Sequence, residues 1–128
     1  MSTLRTNSLE GVDAKNSITI VAGAGNVTTT SVQEGLAKMW ANVDGTGTAA
    51  LDDSFNASGL TDNGTGDFTV AINNDMSNAD YSCQFNGNSA HVGLTAIATG
   101  SLQVFVTAAN DSSQDVDPVT YAAFGDLA

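Results

Sequence analysis

The chain is poor in basic residues, cysteine, proline and aromatics, and each shortage excludes something. Arg5, Lys15 and Lys38 are its only cations, against fourteen Asp and Glu, for a formal charge of −11. They share the first thirty-eight residues with Glu10, Asp13 and Glu34, so that segment is neutral. The ninety residues after Lys38 hold the other eleven acids and no Lys or Arg. Such a field repels nucleic acid and anionic membrane surfaces, which argues against both as partners. It also keeps a β-rich surface soluble.

Cys83 is the single cysteine. An intrachain disulfide is therefore excluded, and nothing points to dependence on an oxidising compartment. No apolar run approaches membrane-spanning length, and Met1-Ser2-Thr3-Leu4 opens no hydrophobic signal segment, so synthesis in a cytosol without membrane insertion is expected. Helix-forming patterns are scarce too. The segment Thr30 to Lys38 offers only Val32, Gly35 and Leu36 at loosely helical spacing, which predicts one helical turn or an extended linker.

What remains is the composition of a turn-rich all-β protein: 41% apolar residues, 13 glycines and abundant Ser, Thr and Asn in 128 residues. That length suits one domain. The stretch Lys38 to Ile72 is the clearest part. Met39, Ala41 and Val43, then Phe68, Val70 and Ile72, alternate on either side of the turns Asp44-Gly45-Thr46-Gly47 and Asn63-Gly64-Thr65-Gly66.

Extending this reading predicts a single antiparallel β-sandwich over residues 37 to 128. About seven strands are expected, near 37–43, 47–55, 66–72, 79–86, 90–98, 101–109 and 117–124. Pro118 falls at the start of the last one, where a missing donor costs little. The predicted core is Trp40, Phe55, Phe68, Val70, Ile72, Tyr81, Phe85, Leu94, Val104, Val106 and Tyr121. Phe105, opposite in parity to Val104 and Val106, implies that the second face of its sheet is also covered, by another subunit for instance.

Residues 1 to 36 read as an extended N-terminal arm for attachment or trimerisation. Its short β-prone pieces, Thr3 to Leu9, Ser17 to Val21 and Asn26 to Thr30, carry too few large apolar groups to close a core of their own. They need another surface. Leu4, Leu9, Ile18, Ile20 and Val27 in the arm, with Tyr121, Phe124 and Leu127 near the end of the chain, are the candidate subunit or capsid interface. For each, packing within the chain is the competing reading.

No catalytic, cofactor or metal site is expected. Asp62-Asn63-Gly64-Thr65-Gly66-Asp67 superficially resembles a calcium loop, but Gly64 and Gly66 occupy the third and fifth positions and no glutamate stands at the twelfth. A turn explains it more simply. Asp52 and Asp53 are adjacent, so a strand points them to opposite faces. Cys83 and His91 form a conceivable dyad only with a third, orienting residue that the sequence does not indicate. Ala22-Gly23-Ala24-Gly25 lacks the third glycine and the helix of a dinucleotide fingerprint.

The run GLAKMWANVDGTGTAALDDSFNASGLTDNGTGDFTVAINNDMSNADYS, with the closing TYAAFGD, resembles a small β-domain of tail-fibre-like and other virion surface proteins of tailed bacteriophages. The opening STLRTNSLEG is similar to the short N-terminal β-segments that attach such proteins to a virion or begin a trimer stalk. The matched pieces cover more than half of the chain. The resemblance implies a structural protein, usually a homotrimer, and no catalytic residue.

One departure matters, because no repetitive shaft separates arm from domain. Thirty-six extended residues at about 3.3 Å each reach only on the order of 120 Å. That size suits a protein sitting on a surface. The leading expectation is a homotrimeric capsid decoration, or cement, protein that contacts the major capsid protein, bridges capsomers and lies on the virion surface. The alternative is a short tail fibre or receptor-binding tip, with tail proteins and a host surface glycan as partners and Trp40 or the Asn/Asp/Ser loops as the reading surface.

Overall fold

A computed structural model describes residues 5–8, 19–22, 28–88 and 90–128. The chain divides into two compact units, Met1–Leu36 and Ala37–Ala128. In the first unit, β1 (Thr19–Ala22) pairs antiparallel with β2 (Thr28–Ser31), and one helical turn, α1 (Val32–Gly35), follows.

The second unit is an all-β sandwich of eight antiparallel strands in two sheets. They are β3 (Ala37–Asp44), β4 (Ala50–Phe55), β5 (Ala57–Gly64), β6 (Asp67–Ile72), β7 (Ser82–Gly87), β8 (His91–Ala98), β9 (Ser101–Thr107) and β10 (Val119–Phe124). Sheet one has the order β4-β3-β10-β7 and sheet two the order β5-β6-β9-β8. The chain thus builds the β3/β4 and β5/β6 hairpins on one side, then β7, β8 and β9, and finally slots β10 between β3 and β7.

Strict alternation in the four central strands makes the core. Met39, Ala41 and Val43 of β3 and Val119, Tyr121 and Ala123 of β10 face Phe68, Val70 and Ile72 of β6 and Leu102, Val104 and Val106 of β9. Burying a side chain such as Phe68 completely contributes roughly 1.5–3 kcal/mol. Met76 and Tyr81, from the loop before β7, close the layer at the end where β3 begins. We call that end proximal and the opposite end distal.

Three members of the expected core lie elsewhere. Trp40 is 38% exposed and Phe55 is 54% exposed. Strand parity overrides their size: Met39 and Ala41 take the inward positions of β3, so Trp40 must point outward, and Phe55 pairs with it on the same outer face. Leu94 has inward parity opposite Val104, but β8 is an edge strand and its register shifts between Leu94 and Ala96, leaving Leu94 42% exposed. Phe85 is half-buried and meets Tyr121 edge-on, with ring centroids 5.8 Å apart.

The eighth strand, β5, fills what the sequence suggested was a loop. Its only large apolar residue is Leu60, and Gly59, Asp62 and Asn63 are poor strand formers. Its pairing with β6 shifts register twice, between Ala57 and Gly59 and between Asp62 and Gly64.

A single residue, Asn56, carries the chain from sheet one to sheet two. Its φ of 56° is a left-handed conformation that asparagine tolerates better than most residues. Its side chain fixes the corner: Nδ2 donates to the carbonyls of Lys38 (2.9 Å) and Asn74 (3.1 Å), and Oδ1 accepts from the Asn74 N–H (2.7 Å). At the distal end, Gly66 (φ 71°) is the tight point, since a Cβ there would lie 2.4 Å from the Val106 carbonyl oxygen. No side chain fits between the β5/β6 turn and β9.

Asn56→Ala removes three hydrogen bonds to the backbone and keeps the left-handed strain. We expect it to cost roughly 2–4 kcal/mol in denaturant unfolding. Asn56→Gly, which tolerates the φ, should retain more stability than the alanine variant.

Candidate interaction surface

The outer face of sheet one is built by parity from the residues the core does not use. At its proximal end, register aligns Phe55 of β4, Trp40 of β3, Ala122 of β10 and Gln84 of β7 in one row. Phe124, half-buried on β10, lies two residues further along the same face. A large indole beside an exposed phenyl ring on an open sheet is the most prominent apolar feature of this face. The next row runs Asp53, Asn42, Thr120 and Asn86. In it the Asn42 Oδ1 is buried and makes no hydrogen bond.

Carboxylates gather at the other end. Asp44, Asp62, Asp67, Asp111, Asp115 and Asp117 all belong to the distal loops or the strand ends that feed them. Several serve the turns themselves. Asp44 Oδ1 accepts from the Thr46 N–H (2.7 Å) and hydroxyl (2.6 Å), and these bonds hold its carboxyl below the ordinary range. Asp62 Oδ1 accepts from the Gly64 N–H (2.9 Å) and Asp115 Oδ1 from the Gly66 N–H (2.7 Å). Asp67 Oδ1 accepts from Gln103 Nε2 (2.7 Å). Among the described residues no three His, Cys, Asp or Glu side chains group as metal ligands.

The interface residues inferred from sequence are scattered. Leu4, Leu9, Ile18 and Val27 lie outside the described residues. Ile20 is in β1, opposite Thr30. Tyr121 is 3% exposed and points into the sandwich, its hydroxyl reaching the Phe68 carbonyl at 3.5 Å. Leu127 packs against the core from the C-terminal segment and bridges to Met76. Of the three C-terminal candidates, Phe124 alone is on an outer face. Cys83 and His91 are not brought together: Cys83 pairs with Ala123 near the proximal end and His91 opens β8 at the distal end. Burial pushes the Cys83 thiol above its ordinary pKa, away from the reactive thiolate.

Sequence reasoning missed the Trp40–Phe55 pair as a surface feature. The alternation of Met39, Ala41 and Val43 was the signal that places it outside. Comparison with protein families, with curated proteins and with solved structures finds no match to the chain.

The two tyrosines give this geometry a spectroscopic test. Tyr81 donates to the Ala98 carbonyl (2.8 Å), and its phenol, desolvated and close to Cys83, is pushed up to about 12; burial and the nearby Asp67 push Tyr121 higher still. Both folded-state values exceed the ordinary value of 10.0. The stability these phenols contribute is therefore complete below pH 10 and is lost as the pH rises toward 12 and beyond. In an absorbance titration the folded protein should show no phenolate at pH 10, whereas the denatured chain is half ionised there. A native phenolate signal at pH 10 contradicts the burial of both side chains.

Proposed function

We propose that the chain is a structural protein of a bacteriophage virion, a homotrimeric capsid decoration protein that stabilises the head by bridging capsomers. In this reading it is made in the host bacterial cytoplasm and displayed on the virion surface. It performs no catalysis and takes no cofactor. The observation that carries the reading is polarity. The aromatic pair Trp40–Phe55, with Phe124 nearby, lies at the end where the chain enters the sandwich, which holds three carboxylates, Asp75, Asp80 and Asp126, against six at the opposite end.

An apolar proximal face suits contact with the major capsid protein, and an anionic distal end suits water. The arm supplies a second attachment. Binding the assembled shell but not its separated capsomers shifts the equilibrium toward the shell by mass action. The anionic sandwich has no role with nucleic acid or with membranes in this account.

The exposure of Trp40 also favours a second reading, a short tail fibre or receptor-binding tip. An aromatic platform beside the carboxylate of Asp53 is chemistry suited to stacking on a sugar ring and bonding its hydroxyls. The partners would then be tail proteins and a host surface glycan.

Copy number separates the two readings. Hundreds of copies per particle support decoration, and a dozen or so support the fibre. The double change Trp40→Ala with Phe55→Ala should lower stability by about 1–2 kcal/mol. It should weaken head binding at least tenfold, a loss of roughly 1.4 kcal/mol. Binding at wild-type strength removes the aromatic face from the contact. Deleting residues 1 to 30 should leave a cooperative unfolding transition while abolishing attachment, and retained attachment contradicts the role given to the arm.

A further inference from the structure

The fold sorts charge by strand. Each of β3, β4, β5 and β6 carries a charged residue: Lys38 and Asp44, Asp52 and Asp53, Asp62, and Asp67. The strands β7, β8, β9 and β10 contain no Asp, Glu, Lys or Arg at all. Because β10 and β7 are neighbours in sheet one, and β9 and β8 in sheet two, the uncharged strands form one contiguous lateral half of the sandwich. Asp67 of β6 borders it, paired with Phe105 and accepting a hydrogen bond from Gln103 Nε2 (2.7 Å), and the other neighbouring carboxylates are in the loops at its two ends, among them Asp75 and Asp80 proximally and Asp117 distally.

This half also exposes apolar side chains. Leu94 stands at the lip of the β8 edge, 42% exposed. Phe105, 44% exposed, lies across Gly93 of β8, where a Cβ would come within 2.4 Å of its ring. Glycine at 93 lets the phenyl ring lie flat over the edge of the sheet. The edges themselves differ in the same sense. On the opposite side, β4 and β5 present Asp52, Asp53 and Asp62, the usual guard against edge pairing, whereas β7 and β8 present Ser82, Gln84, Thr95 and Ala96.

We infer that this uncharged flank is the surface through which copies of the chain associate. Two sandwiches, each with eleven acids and one lysine, repel one another, and contact through β7, β8, β9 and β10 brings no carboxylate of those strands against its like. Depletion of charge around exposed aromatic and aliphatic groups is also the composition of an interface core. The inference deepens the proposed homotrimer by naming its contact, and rests on that reading for the stoichiometry alone.

The test is the solution mass of the full chain by sedimentation equilibrium. The wild type should give a multiple of 13.0 kDa, three-fold if the trimer holds. Thr95→Lys with Ala96→Lys should reduce it to 13.0 kDa with an unchanged far-ultraviolet spectrum and melting temperature, because both side chains are small and exposed on an edge strand. Ser58→Lys with Thr61→Lys, on the exposed edge strand of the charged half, should leave the multimer intact. A monomeric wild type, a multimer that survives the β8 pair, or one broken equally by the β5 pair overturns the assignment. A multimer that obeys these expectations yet binds no phage particle supports the flank and overturns the virion reading.

Discussion

Everything in the sandwich depends on the alternation of side chains in its four central strands. Every second residue of β3, β6, β9 and β10 is buried against the facing sheet, so the intervening residues have no choice but to face outward. The exposed Trp40 and Phe105 follow from that constraint directly. Each is a large apolar side chain at a position whose neighbours, Met39 and Ala41 or Val104 and Val106, already fill the interior. A polar residue would serve solubility better at both positions. Their presence on the outside is what the proposed contact surfaces rest on.

Charge follows topology in the same way. The two hairpins built first, β3/β4 and β5/β6, occupy one lateral half, and the four later strands occupy the other. The stretches differ in where charge sits and not in how much they hold: residues 37–72 carry five acids and Lys38, all on strands, and residues 73–128 carry six acids and no Lys or Arg, none of them on a strand. In the later stretch the acids are confined to connections: Asp75, Asp80, Asp111, Asp115, Asp117 and Asp126.

Much of this was legible in the sequence, and the failures have physical causes. Seven strands could be placed from alternation and turns, as with the run Met39 to Val43 and the Asn63-Gly64 hairpin. The eighth was hidden because β5 is stabilised by its pairing with β6 and by the Asn56 corner, and hardly by its own propensities. The size of Trp40 and Phe55 argues for burial, whereas the parity of Met39, Ala41 and Val43 opposes it, and parity prevails. Met76 is buried from a loop, where no periodicity announces it. The lateral partition of charge needed the strand order, which one chain without its fold does not display.

The central claim is that self-association uses an uncharged surface between bodies that otherwise repel one another. Sedimentation of the full chain across a range of salt tests it most directly. At 0.01 M salt the screening length is about 30 Å and repulsion between neighbouring sandwiches is strong; at 1 M it is about 3 Å and nearly gone. Association should strengthen as salt rises, because repulsion is screened while strands without Asp, Glu, Lys or Arg hold no ion pairs to lose. Association that weakens with salt, or a mass of 13.0 kDa throughout, contradicts it.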